Sequence, residues 1–150
     1  MSDRGVFLTA FLTLVLVVAG AFAIPEFFVD HLMTSAIFVV IAVMVFFGDD
    51  KFPYMLGMVA PVIWIIVAML TGRFVMEFRV LLQFLTGGTL GRYDTPLHGF
   101  AFLSGLALLV LAARAWRKQV TEKFLGKTFA IATIVTVVWV AVIVVWQFRR

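Results

Sequence analysis

Five long apolar runs fill most of this chain, and they limit its possible folds more than any other feature. Each run has roughly the 17–25 residues that a helix needs to cross about 30 Å of hydrocarbon. Because the apolar residues are continuous and do not alternate with polar ones, the strands of a membrane barrel are not expected. The sequence therefore predicts an all-α integral membrane protein, a bundle of five transmembrane helices. The predicted spans are 6–24, 26–48, 54–71, 96–116 and 128–148.

The composition supports this class. Hydrophobic residues make up 64% of the chain and charged residues 13%, whereas a soluble domain carries about 25% charged residues. The short loops leave no room for a separate soluble module, so we predict a single transmembrane helical domain over 1–150. Cysteine is absent from the sequence, which excludes disulfides, thiolate metal sites and cysteine nucleophiles.

A polar stretch, 73–94, interrupts the apolar pattern between the third and fourth runs. Within it, 73–86 has apolar residues at helical spacing and polar residues opposite them. Placing Glu77 and Arg79 in the middle of a span would cost on the order of 3 kcal/mol per charge. We therefore predict an interfacial or re-entrant amphipathic helix, a flexible glycine joint at 87–91, and a helix cap at Asp94. The predicted apolar stripe is Phe74, Phe78, Leu81 and Leu85.

The basic residues lie at the ends of the apolar runs. The net charge is +4 and the pI about 10.0, but this placement is typical of membrane topology and contact with anionic lipid, not of nucleic-acid binding. The densest cluster predicts a cytoplasmic amino terminus and an outer carboxyl terminus. The membrane that we expect is a prokaryotic cytoplasmic (inner) membrane. The predicted lipid-facing basic cluster is Arg114, Arg117, Lys118, Lys123 and Lys127.

The two histidines, His31 and His98, are the first candidates for a functional site. In the predicted topology their helices both begin on the outer side, so both imidazoles lie toward the same membrane face. A helix amino terminus disfavours positive charge, which favours the neutral imidazole that binds metals. Small and weakly polar residues follow each histidine at helical spacing, as on helix contact faces in lipid. Both side chains are therefore predicted to point into the bundle.

Two histidines on separate helices can act as axial ligands of a planar cofactor. The arrangement resembles small cytochrome b-type membrane anchors, in which histidines on separate helices clamp a haem. This resemblance covers only the vicinity of His31 and His98, and it implies haem or a chlorophyll-type pigment as cofactor. The midspan Trp64 and Trp139 are further candidates to stack on such a group. In the alternative, each histidine hydrogen-bonds near the interface, His31 beside Asp30 and His98 beneath Asp94.

A second hypothesis uses the ionisable groups on the outer side. Charged residues at membrane depth mark ion or proton pathways by default, and Glu77, Arg79 and Asp30 are the candidates for such a path. The alternative is that they are ordinary helix-end and interfacial charges. No spacing in the sequence indicates a catalytic triad, a carboxylate pair or a phosphate loop.

These observations favour a small non-catalytic subunit or accessory factor of a larger membrane complex, with other membrane subunits as partners. A respiratory or photosynthetic electron-transfer assembly is the favoured setting, because His31 and His98 are placed to contact haem, pigment or quinone. The alternative is a small homo-oligomeric transporter or channel that uses the re-entrant element 73–91 and Glu77.

Overall fold

The computed structural model describes residues 3–48, 51–92, 94–120 and 126–149, and every helix and turn element in these ranges fits an all-helical bundle. Five helices are long and apolar enough to cross a membrane, and a sixth is shorter. The predicted fold class is therefore confirmed. The helices are α1 (Arg4–Ala23), α2 (Phe28–Phe46), α3 (Lys51–Leu70), α4 (Arg73–Leu85), α5 (Leu97–Gln119) and α6 (Gly126–Phe148).

Several helix ends differ from the sequence prediction. The second span opens with a 3-10 turn, Pro25–Phe27, before the α-helix starts. Helix α3 starts at Lys51, ahead of the predicted span 54–71, and so includes Pro53. A proline is tolerated in the first helical turn because its missing N–H has no partner there in any case. Helix α5 extends past residue 116 to Gln119, since polar residues continue a helix into the interfacial region.

Close approach of small residues holds the bundle together. Helix α1 packs against α2 and α5, and α3 packs against α5 and α6. A Cβ on Gly57 would lie 3.1 Å from the Cβ of Ala112, so α3 and α5 nearly touch there. Between α1 and α5, the buried Thr13 hydroxyl donates to Ser104 Oγ at 2.8 Å. In lipid, where apolar burial does not drive association, such contacts and hydrogen bonds stabilise helix pairs.

The faces below the two histidines are buried, as the sequence predicted. On α5 these are Ala101, Gly105, Leu108 and Ala112, and on α2 they include Ser35, Phe38 and Ala42. Helix α6 differs, because only Ala132 and Thr136 are buried along its length. Most of α6 therefore faces lipid or a partner.

Helix α4 lies against the first turns of α5. Its 13 residues span about 20 Å at about 1.5 Å per residue, too short to cross the hydrocarbon core. A Cβ on Gly99 would come within 2.7 Å of Leu81 Cβ, so the two helices cross at this glycine. The predicted apolar stripe needs one correction: Leu85 is 62% exposed. The packed face instead contains Phe74, Glu77, Phe78 and Leu81, each buried or half-buried.

The opposite end of the bundle holds the amino terminus of α1 and the carboxyl terminus of α5. Tyr54, fully buried, donates to Gln119 Oε1 at 2.7 Å, and Gln119 Nε2 donates to Asp3 Oδ2 at 3.2 Å. Tyr54, the first residue of the predicted span 54–71, therefore lies inside the bundle. Lys123 of the predicted basic cluster lies outside the described residues. Exposed at this end are Arg114, Arg117, Lys118 and Lys127.

The orientation of the bundle stays a prediction and can be measured directly. Because the basic cluster favours the cytoplasmic side, a reporter active only outside the cytoplasm, fused after residue 150, should be active. A cytoplasmic reporter fused at the same position should be silent. A reporter inserted between α5 and α6 should give the reverse pattern, and an inward carboxyl terminus would show the orientation to be wrong.

Candidate functional site

The two histidines meet inside the bundle. Their ring centroids are 4.3 Å apart and their planes are inclined at 39°. His98 is 8% exposed, and His31 is half-buried. The residues lie far apart in sequence, but α2 and α5 both begin at the same membrane face. Both histidines therefore lie at the same level of the bundle, where their rings are in contact.

Glu77 on α4 is the polar neighbour of His98. Its Oε1 lies 3.4 Å from His98 Nδ1, and the two side chains are 15% and 10% exposed. Glu77 faces α5 because it shares a helical face with the packed residues Phe74 and Leu81. The sequence alternative, in which Asp94 partners His98, is wrong. Asp94 Oδ2 instead accepts the backbone N–H of Gly91 at 2.9 Å, so it closes the loop before α5 and does not cap the helix.

Gly20 on α1 makes room for the His98 ring. A Cβ at this position would collide with His98 Nε2 and would lie 2.9 Å from Cδ2. The imidazole therefore lies directly against the backbone of α1. Only a residue without a side chain allows this, so Gly20 sets the depth to which His98 enters the bundle.

One nitrogen of each imidazole has no hydrogen-bond partner. The Nε2 atoms of His31 and His98 are buried and unpaired among the residues that the structure describes. Leaving a buried polar atom unpaired costs about 1–3 kcal/mol, and each such atom in a folded protein calls for an explanation. A neutral imidazole nitrogen donates or accepts according to its tautomer. Neither atom is open to the adjoining space as the rings lie, and His98 Nε2 faces Gly20.

A cavity of about 120 Å³ lies beside these rings, and we call it the histidine pocket. Its deep part is aromatic and apolar, and its mouth is polar. The aromatic walls are Trp64, Phe102 and Trp139, with Val17, Val67, Ala68, Val140, Ile143 and Val144 around them. The polar groups are His31, Thr34, Thr71, Arg73, Glu77, His98 and Gln147.

The two midspan tryptophans are fixed by contacts around this pocket. Trp64 stacks on Phe102, with centroids 4.3 Å apart and planes at 22°. Trp139 Nε1 donates to the carbonyl of Met33 at 2.8 Å. Both indoles are thus held in place and present rigid apolar surface to the pocket.

The structure separates the residues proposed for an ion path. Glu77 lines the pocket. Arg79 is exposed and lies away from the packed face of α4. Asp30 is buried, at 4% exposure, but does not line the pocket. Below the pocket, the inward residues of α5 are the apolar Leu108, Ala112 and Ala115. The polar site therefore lies at one end of the bundle.

Sequence reasoning missed several residues of the site. Gly20 carried no signal, because a glycine in an apolar run has many explanations. Gln147 and Thr71 offered one, since each is a polar residue close to the end of an apolar helix that ends on the histidine side. Arg73 begins the amphipathic segment 73–86, so its charge indicated only an interfacial helix.

A tetrapyrrole does not fit the histidines as they lie. Carbon atoms touch at about 3.5–4.0 Å, so rings with centroids 4.3 Å apart have nothing between them. The pocket volume of about 120 Å³ is near the ~150 Å³ of a cavity that admits benzene. It is therefore the size of one six-membered ring, far below a haem or chlorophyll. No group of three or more metal-ligating side chains occurs among the described residues.

Comparison of the chain with protein-family models, with curated proteins and with solved structures finds no match. The function is therefore argued from the histidine pocket itself.

Proposed function

We propose that this protein is a non-catalytic integral membrane subunit or accessory protein that binds a small ligand in the histidine pocket. The observation that carries this proposal is a cavity with aromatic and apolar walls that the polar side chains of His31, His98 and Glu77 also line. A pocket with apolar walls and a few converging polar groups is the usual form of a small-molecule site. Glu77 contacts Nδ1 of His98 and so helps to fix the orientation of this ring.

The wider setting that we propose is a respiratory or photosynthetic electron-transfer assembly in a prokaryotic cytoplasmic membrane. Helix α6 has only two buried residues, so it offers a long exposed apolar face that another membrane subunit can cover. The polar groups of the pocket provide binding contacts, and the described part of the chain offers no nucleophile paired with a base. These features favour a binding role over a catalytic one.

The second candidate is a homo-oligomeric transporter or channel. Glu77 favours it, because a carboxylate on an inward face at membrane depth is a common element of ion and proton pathways. The one-sided position of the pocket favours ligand binding instead. Transport requires flux that Glu77→Gln abolishes in liposomes, with Arg79→Gln as the matched control on the exposed face of the same helix.

The experiment that tests the binding proposal is purification in mild detergent followed by native mass spectrometry. The wild-type protein should retain a small molecule and co-purify with defined membrane subunits. The double variant His31→Leu/His98→Leu should lose the small molecule, because each leucine removes one polar side chain from the lining of the pocket. Arg79→Gln should retain it. A wild-type protein that carries no small molecule, or a double variant that carries as much, would contradict the proposal. A homo-oligomer without partners would overturn the subunit role.

A further inference from the structure

We propose that α4 is an acid-sensitive element of the bundle, docked on α5 near neutral pH and released from it in acid. The proposal does not depend on a ligand in the histidine pocket. Three features carry it: the direct contact of two imidazole rings, the signs of the charges around them, and the small number of buried residues that attach α4 between two glycines.

The contact between the histidine rings accommodates one proton but not two. The ring centroids of His31 and His98 are 4.3 Å apart, so two imidazolium charges would repel each other, and burial leaves little water to screen them. An imidazolium also donates from both of its nitrogens. The Nε2 atoms of both rings are buried without a partner among the described residues, and His98 Nε2 faces Gly20. A second proton therefore has to separate the rings.

The fixed charges beside the rings come from α4. The charged or titratable side chains that line the histidine pocket are His31 of α2, His98 of α5, and Arg73 and Glu77 of α4. The lining residues of α1, α3 and α6 are uncharged. The other charged residues described at this end of the bundle, none of which lines the pocket, are Glu26, Asp30, Arg79, Arg92, Asp94 and Arg149.

Acid reverses the electrostatic interaction between α4 and the histidine pair. Near neutral pH, Arg73 and the Glu77 carboxylate give the side of α4 that faces the pocket no net charge, and Glu77 Oε1 lies 3.4 Å from His98 Nδ1. Protonation of Glu77 removes the one negative charge of the lining. Arg73 then faces two imidazolium rings, and all three charges have the same sign. Because like charges repel, the contact changes from attractive to repulsive.

Helix α4 is attached to the bundle by few buried residues. Of its 13 residues only Val80 and Leu81 are buried, and segments with few buried contacts open at a low free-energy cost. Gly72 and Gly87 flank the helix with φ values of 73° and 72°, in the left-handed region that favours glycine. A Cβ on either one would meet nothing within 4 Å. Both glycines can therefore absorb the backbone rotation that a movement of α4 needs.

The exposed apolar side chains of α4 would keep the released helix at the membrane surface. Val75, Met76, Leu82 and Leu85 are between 56% and 69% exposed, and an amphipathic helix buries such a face at the boundary between headgroups and acyl chains. Release of α4 therefore opens the polar mouth of the histidine pocket while the helix stays in the membrane.

The test measures the distance between α4 and α5 with nitroxide labels. The sequence contains no cysteine, so Arg79→Cys/Val110→Cys places one label on the exposed face of α4 and one at an exposed position of α5. Double electron–electron resonance in phospholipid nanodiscs is recorded from about pH 8 to about pH 4, which includes the ordinary pKa values of imidazole and the glutamate carboxyl. The distance should lengthen in acid by roughly 5 Å or more, since packed helix axes are about 8–10 Å apart.

Two substitutions in the labelled protein identify the groups responsible. His31→Gln keeps a polar side chain but removes one proton-binding group, so the longer distance should appear only at lower pH or not at all. Glu77→Gln removes the negative charge that offsets Arg73, so the longer distance should appear at a pH higher by about one unit or more. The control pair Ala23→Cys/Val110→Cys joins α1 to α5 and should keep its distance at every pH.

Three results would overturn the proposal. The first is an α4–α5 distance that stays constant across the pH range in the wild-type background. The second is a change that occurs at the same pH in His31→Gln or in Glu77→Gln as in the wild type. The third is an equal change in the control pair, which would show that acid unfolds the bundle instead of releasing α4.

Discussion

Gly20→Ala is expected to remove ligand binding from the histidine pocket although the change adds a single methyl group. The new Cβ would collide with His98 Nε2 and lie 2.9 Å from Cδ2, so the ring must leave its place against α1. The small molecule that the wild type retains should then bind at least about tenfold more weakly. Overpacking typically costs about 1–3 kcal/mol, while replacing a mid-helix glycine by alanine gains up to about 1 kcal/mol. The free energy of unfolding should therefore fall by up to about 2 kcal/mol.

A matched variant distinguishes a blocked pocket from a weakened helix. Ala23→Leu adds a larger group to the same end of α1 at an exposed position, so it should leave both binding and stability nearly unchanged. Binding is measured by native mass spectrometry of the purified protein, and stability by denaturation in mixed micelles. If Gly20→Ala bound the small molecule as well as the wild type does, His98 would not lie against Gly20.

The spans were predictable from the sequence because hydrocarbon thickness fixes helix length and every backbone polar group must be paired within the membrane. His31 and His98 were predicted on the same side because they lie near the starts of the second and fourth spans, which cross the membrane in the same direction. The faces they occupy followed from small residues at helical spacing. These inferences need only local pattern and topology, which a single sequence contains.

The partner of His98 was not predictable, and the reason is physical. Glu77 and Asp94 both lie on the histidine side, and sequence distance favoured Asp94. The choice depends on which face of α4 packs on α5, which Gly99 decides by allowing Leu81 to approach closely. A signal existed in the spacing of Phe74, Glu77, Phe78 and Leu81, which places the carboxylate within the apolar stripe.

The haem hypothesis likewise depended on helix packing, which the sequence does not reveal. Two inward histidines on one side of a bundle are consistent with a clamp around a cofactor or with direct contact between the rings. The distance between α2 and α5 separates these two possibilities, and it depends on the packing of side chains around the rings. With centroids 4.3 Å apart, contact is what the structure shows.

The second large effect concerns the position of α4, on which the whole site depends. Glu77 reaches His98 only if α4 folds back onto the first turns of α5. The sequence contains no cysteine, so an introduced pair reports on this contact without interference. In Leu81→Cys/Gly99→Cys the two Cβ positions lie 2.7 Å apart, closer than the roughly 3.8 Å of a disulfide. If the two helices move apart by about 1 Å, the Cβ atoms reach the distance that a disulfide needs.

Disulfide formation in this pair, followed by mass spectrometry of the purified protein under mild oxidation, is the most direct measurement of the central claim. We expect the cross-link between α4 and α5 to form rapidly and nearly to completion. In the matched pair Arg79→Cys/Gly99→Cys, residue 79 lies on the exposed face of α4, and little cross-link should form. If the first pair failed to cross-link, or if both pairs cross-linked equally, α4 would not hold Glu77 against His98, and the histidine pocket as described would not exist.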